Sequence, residues 1–402
     1  MTTNPKIGVR SAVPTSVPST LSTPSRASRR LADPASPLLE AVRRVRALGG
    51  SDLHLAAGSV PRARVDGTLV PLEDTAAWPA GLLEAELSTV MSPEQQARFD
   101  QELELDFAWE TEDGIRVRAN AYRSRGMVGA ALRLVPAGVK SVRQLGLPDA
   151  IAELADLPRG LVLVTGPTGS GKSATLAAIL DRINSTRSCH ILTIEDPIEV
   201  VHEGKKAVVN QREIDRDTRD YASALRQALR QDPDVILLGE LRDPETISVA
   251  LSAAETGHLV LATLHTPDAA QTIDRIVDVF PAGAQEQVRS QLAQTLKAVV
   301  AQTLLPRATG SGRVAAAEVL LMTPAIANLV RSGRTHQIPS ALAMGAAHGM
   351  QTMDQRLAEL VLEGTVSSSA ALQVAHDKEI LSRLLRGSLA DWAANAGLER
   401  SA

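Results

Sequence analysis

The stretch "LVTGPTGSGKSATLAAIL" (163–180) runs from apolar residues through a glycine-rich turn into a lysine and a helical pattern. Gly166, Pro167, Thr168, Gly169, Ser170, Gly171, Lys172 and Ser173 fit G-x-x-x-x-G-K-S in full, with a strand pattern before and a helix pattern after. Glycines let the backbone turn with its N–H groups inward, where a Cβ would crowd an anion. The helix that follows presents free N–H groups and its positive dipole end to the same anion. A lysine at position 172 reaches β- and γ-phosphates, and the Ser173 hydroxyl can ligate Mg²⁺. A purely structural turn would need neither the lysine nor the serine. The stretch from Gly166 to Ala174 is therefore the expected cradle for a nucleoside triphosphate.

Outward from this loop, four unbroken apolar runs stand at 161–166, 191–196, 235–240 and 258–265. Such runs suit parallel strands buried on both faces. Helical stretches at 171–184, 220–231 and 244–255 separate them, which is the rhythm of a three-layer α/β sheet. Ligands of such sheets bind beyond the carboxyl ends of the strands. "DPDVILLGELRD" (232–243) ends a strand in Glu240, placed to hold Mg²⁺ or polarise water. "ILTIEDPIEVVHEG" (191–204) clusters Glu195, Asp196 and Glu199 after another strand, and three carboxylates repel one another unless a cation is near. Glu199 is the favoured residue for orienting or deprotonating water; Glu195 reads equally as part of a helix start. "TGHLVLATLHT" (256–266) carries His258 and His265 at opposite ends of one strand. Seven strand residues span roughly 23 Å, so the two cannot share a metal. His265 is placed to sense a γ-phosphate, and His258 has a structural or subunit-boundary reading.

The remainder bounds the architecture. Residues 1–36 are expected as a Ser/Pro/Arg-rich tail that buries too little apolar area to order itself and has no central apolar signal segment. From 37 to 137 a helical pattern stopped by Gly49-Gly50 precedes alternating strands with turns at Asp66-Gly67 and Asp113-Gly114, the signature of a small α+β domain. Residues 138–158 read as a linker, 159–385 as the α/β domain with a largely helical end broken by a possible strand at 314–321, and 386–402 as a tail. The net charge of −4, with only three Trp, two Tyr and three Phe, argues against nucleic acid as partner. The single Cys189 excludes an internal disulfide and a tetracysteine zinc site. No apolar run approaches the roughly 18–20 residues that span a bilayer, so membrane association is expected only through partners. On the α+β domain, Arg116, Arg118, Arg123, Arg125 and Arg133 alternate along strands, either as a solvated face or as fingers for a neighbouring subunit's triphosphate.

The series GPTGSGKS, DPIE, LLGELRD and TGHLVLATLHT resembles the secretion-ATPase superfamily, whose members drive type IV pili and type II secretion. "GGSDLHLAAGSVPRARVDG" (49–67) and "VNQREIDRDTRDYASALRQALRQDPDVILLGELRD" (209–243) are similar to its pilus-retraction branch, and the likeness covers about 37–365. The resemblance implies a PAS-like N-terminal domain, a RecA-like ATPase domain and a cytoplasmic homo-hexameric ring against an inner-membrane pilus platform protein. It implies Lys172, Ser173, Glu199 and Glu240 as site residues, His258 and His265 as its histidine box, and Arg118 and Arg133 as its arginines, given by the adjacent subunit. "AIANLVRS" (325–332) departs from the AIRNLIRE of the retraction branch at Ala327 and Ser332. That leaves pilus assembly, type II secretion or an accessory ring subunit as alternatives, with a nucleic-acid translocase behind them.

Overall fold

The computed structural model describes residues 36–395 except 66, 136–137 and 311, and no side chains from 387 onward. The tail expected over 1–36 lies outside these residues apart from Ser36. That serine's hydroxyl accepts from the Leu39 N–H and so caps the first helix.

The first part of the chain comprises α1 (Pro37–Ala47), β1 (Asp52–Ala56), β2 (Arg62–Val65), β3 (Thr68–Pro71), α2 (Ala80–Val90), α3 (Pro93–Glu102), β4 (Glu104–Glu110), β5 (Arg116–Ser124) and β6 (Met127–Leu134). Its strands form one antiparallel sheet in the order β3-β2-β1-β6-β5-β4. α1 stops where the glycines require, with Gly49 at φ 67°. Leu38, Val42 and Val45 of α1 and Leu83 and Leu87 of α2 pack on the Val117, Ala119 and Ala121 face of β5. The even-numbered residues of β5, Arg116 and Arg118 among them, therefore lie on the other face.

The second part holds α4 (Asp149–Glu153), β7 (Gly160–Thr165), α5 (Lys172–Thr186), β8 (His190–Glu195), β9 (Val208–Glu213), α6 (Tyr221–Ala228), β10 (Val235–Leu238), α7 (Pro244–Glu255), β11 (Leu259–Leu264), α8 (Ala269–Asp278), α9 (Ala282–Thr295), β12 (Leu296–Pro306) and β13 (Arg313–Leu321). α10 (Pro324–Arg331), α11 (Ile338–Ala343), α12 (Met353–Leu362), α13 (Ser368–Val374) and α14 (Lys378–Asn395) follow. The seven strands are ordered β13-β12-β7-β11-β10-β8-β9, parallel except for β13. β7 and β11 are buried along their whole length, which explains their unbroken apolar sequence. Helices cover both faces of this RecA-like sheet: α7, α8 and α9 lie on one and α5 on the other.

The structure departs from these readings at four places. Residues 138–158 are no free linker: Val142, Leu147, Ile151, Leu154 and Ala155 are buried against β7 and α5. Within the region read as helical beyond 282, β12 is an eleven-residue strand paired with both β7 and β13. Its run "LKAVVAQTLLP" is mostly apolar, and periodicity does not separate a buried strand from a buried helix. β9, with "VVNQRE" at the sheet edge, was hidden in polar sequence. At the carboxyl end, α14 runs across the boundary expected at 385/386.

Candidate functional site

The loop between β7 and α5 is built to leave N–H groups free. Asp220, Asp243, Asp268, Thr323 and Thr352 cap α6, α7, α8, α10 and α12 with their side chains. α5 instead begins at Gly171, φ 91°, with no side-chain cap. Its first-turn donors therefore await an external acceptor. Gly166 has φ 135°, and a Cβ there would lie 2.2 Å from the Gln302 carbonyl oxygen. Pro167, Thr168 and Gly169 are exposed at the mouth, while Gly166, Ser170 and Lys172 are buried. The Ser170 Oγ has no hydrogen-bond partner. Ser173 and Ala174, in the first turn of α5, are exposed.

Lys172 folds back over the loop, its Nζ donating to the carbonyls of Gly166 at 2.8 Å and Pro167 at 3.1 Å. Burial lowers its affinity for a proton, against the fields of Glu240 and Glu199, which raise it. A buried cation with only carbonyls for partners is short of counter-charge, and a polyphosphate supplies it.

Glu240 follows β10, beyond the carboxyl end of the strand. Its carboxylate accepts from Arg242 Nη2 at 2.8 Å and lies 3.3 Å from His265 Nε2. Burial alone would raise its pKa; the Arg242 hydrogen bond and charge, with His265, outweigh this and hold it below the ordinary range. Glu240, Arg242, His265, Thr266 and Arg275 line a cavity of about 240 Å³ there. Glu199 meets the α+β domain: Arg118 Nη1 donates to its Oε1 at 2.7 Å. Glu195 is held by Thr193 at 2.6 Å and Gln211 at 3.1 Å, and burial raises its pKa.

The structure thus brings Lys172, Glu199, Glu240, His265 and Arg118 to one end of the sheet. His258 stands at the other end of β11, its Nδ1 3.0 Å from the Ala253 carbonyl oxygen and its own carbonyl accepting from the Gly160 N–H. Arg133 lies opposite Arg118 in the β5–β6 pair, but its Nε donates to Asp52 at 2.8 Å and its side chain is 67% exposed. Arg123 belongs to the opposite face, paired with Glu84 at 3.0 Å.

Arg116, read from sequence only as one of five alternating strand arginines, crosses between the domains to Glu213 at 3.0 Å and to the Ile198 carbonyl at 3.3 Å, with both charged side chains largely buried. Its parity with Arg118 along β5 was the available signal. Arg242 fixes Glu240 from two residues away, and nothing in "GELRD" separates it from a surface charge.

A phosphate loop joining a central parallel strand to an uncapped helix, with carboxylates at neighbouring strand ends, defines a P-loop nucleoside triphosphatase core. The chain belongs to the type II/IV secretion system protein family, whose model matches residues 38–383. It is 51% identical over 332 residues to the type IV pilus retraction ATPase PilT of Pseudomonas aeruginosa, covering 81% of this chain and 94% of that protein. It is 50% identical over 324 residues to a twitching motility protein of Neisseria gonorrhoeae, covering 80% and 86% respectively. The crystal structure of the pilus retraction motor PilT with bound ADP superposes with a TM-score of 0.81 at 46% identity, covering 86% of this chain and 99% of that one. With its phosphate loop complete, the chain is an ATPase.

Proposed function

We propose that this chain is the ATP-hydrolysing subunit of a homo-hexameric ring that powers type IV pilus retraction. The observation that carries the reading is the intact phosphate loop in a chain half identical to a pilus retraction ATPase along nearly all of that protein's length. ATP would lie on the Gly166–Ala174 cradle, its charge met by Lys172 and the free N–H groups of α5. Among the described residues no cluster of three His, Cys, Asp or Glu could hold a metal alone. Mg²⁺ would accordingly ride on the triphosphate with Ser173 as its protein ligand, as in other P-loop enzymes. Glu240 would act on that ion through water, because Arg242 and His265 already occupy its oxygens. Glu199 would orient or deprotonate the attacking water, and His265 would sense the γ-phosphate. Arg118 and Arg133 would neutralise developing negative charge, and His258 would serve at a subunit boundary.

Among the described residues no helix is long and apolar enough to cross a membrane. Work on the pilus would then pass through an inner-membrane platform protein, with the ring on its cytoplasmic side. The test is genetic and biochemical together. A Lys172→Ala allele should abolish both ATPase turnover of the purified protein and pilus retraction by cells carrying it as their sole copy. Retraction at wild-type speed from that allele would overturn the assignment. Pili that fail to form when the gene is deleted would favour an assembly motor, the alternative raised by Ala327 and Ser332.

A further inference from the structure

We propose that Gln302 is a positioning residue for nucleotide binding: it holds the phosphate loop in its anion-binding shape from behind. Gln302 is 3% exposed, on β12, in the segment that sequence periodicity read as helix. β12 runs parallel to β7 with Ala301 opposite Thr165, so Gln302 lies just past the end of β7, where the loop begins. Its Nε2 donates to the Ser170 carbonyl at 2.8 Å, and its Oε1 accepts from the Thr175 hydroxyl at 2.6 Å. The two ends of one amide therefore tie the loop to the first turns of α5.

The geometry has a chemical consequence. A trans peptide is planar, with its C=O and the following N–H pointing in opposite directions. Anchoring the Ser170 carbonyl on Gln302 turns the Gly171 N–H away from Gln302. Gln302 also closes the back of the loop. Its backbone oxygen lies 2.2 Å from where a Cβ of residue 166 would be, and its Nε2 lies 2.8 Å from that of residue 171. Nothing lies within 4 Å of the corresponding position at Gly169. The loop is thus backed by Gln302 and open at Gly169, and its Gly171 N–H is turned away from the backed side. Without the amide, the Ser170 carbonyl would be buried without a partner, and the peptide would be free to rotate its oxygen toward the phosphates. An uncharged side chain suits this place, since a carboxylate would oppose the polyphosphate.

The test uses the full-length protein, a fluorescent ADP analogue and steady-state ATP kinetics. Gln302→Met keeps length and removes both hydrogen bonds; Kd for ADP and KM for ATP should each rise about tenfold, with kcat at saturating ATP within about threefold of wild type. Thr175→Val removes one of the two ties and should raise the same constants by about threefold. A folded Gln302→Met protein with wild-type Kd and KM, or one that loses kcat at unchanged KM, would overturn the proposal. Should that variant not fold, Thr175→Val decides: an unchanged Kd for ADP rejects the role.

Discussion

At Glu240 the sequence offers one carboxylate at a strand end, and its chemistry is set by two neighbours. Arg242 and His265 hold its carboxyl below the usual range against the effect of burial. A depressed folded pKa means that the carboxylate and its ion pairs persist above the unfolded pKa and are lost as pH falls through the lower, folded value. Glu240 should therefore stay ionised into the acid range. Arg242→Ala should move the acid limb of the kcat/KM profile to higher pH; an unmoved limb would assign it to another group. Glu240→Gln should bind ATP about as well as wild type, with turnover reduced by roughly 10²-fold or more. Nucleotide binding and single-turnover assays separate the two effects. Lys172 was legible because the loop motif fixes its role within eight consecutive residues. Arg242 was not, because a guanidinium two residues from a carboxylate looks the same whether it faces that carboxylate or solvent.

Among the elements, β5 divides its labour by parity. Val117, Ala119 and Ala121 bury into the α+β core, while Arg116 and Arg118 reach Glu213 and Glu199 of the ATPase domain. The Arg116–Glu213 pair is the more buried, at 13% and 11% exposure against 31% and 43%. Removing one member strands a buried charge, at a cost of about 3 kcal/mol, whereas replacing both with apolar residues costs less. Arg116→Met and Glu213→Leu should each lower the midpoint of denaturant unfolding more than the double substitution does. Singles that simply add in the double would show that the two charges do not depend on each other. The alternation of β5 was readable in sequence as two faces; which face met another domain was not, since strand parity says nothing of what lies opposite. β12 shows the complementary limit: its apolar run announces burial but not conformation.

For the molecule as a whole, Arg118 already contacts Glu199 of its own chain, at 2.7 Å. The sequence resemblance implied arginines given by the adjacent subunit; within the chain itself, Arg118 pairs with Glu199. Mixing Arg118→Ala protein with Lys172→Ala protein should therefore restore no turnover, because neither chain would hold a complete site. Recovery of activity in the mixture, measured against each variant alone, would assign Arg118 to the neighbour. Turnover per chain should rise with protein concentration as the proposed ring assembles, and light scattering with and without nucleotide would give the oligomer mass.

The eight residues of the phosphate loop, the buried strands flanking it and the carboxylates at their ends were determined by sequence alone. Each is a local matter: a few consecutive side chains and backbone angles suffice to specify an anion cradle or a strand buried on both faces. Tertiary structure alone decided that Gln302 stands behind Ser170 from 132 residues away and that Arg116 and Arg118 bridge the domains. These contacts arise only when strands and domains distant in the chain are laid side by side, and no spacing along the chain encodes which side chain will face which.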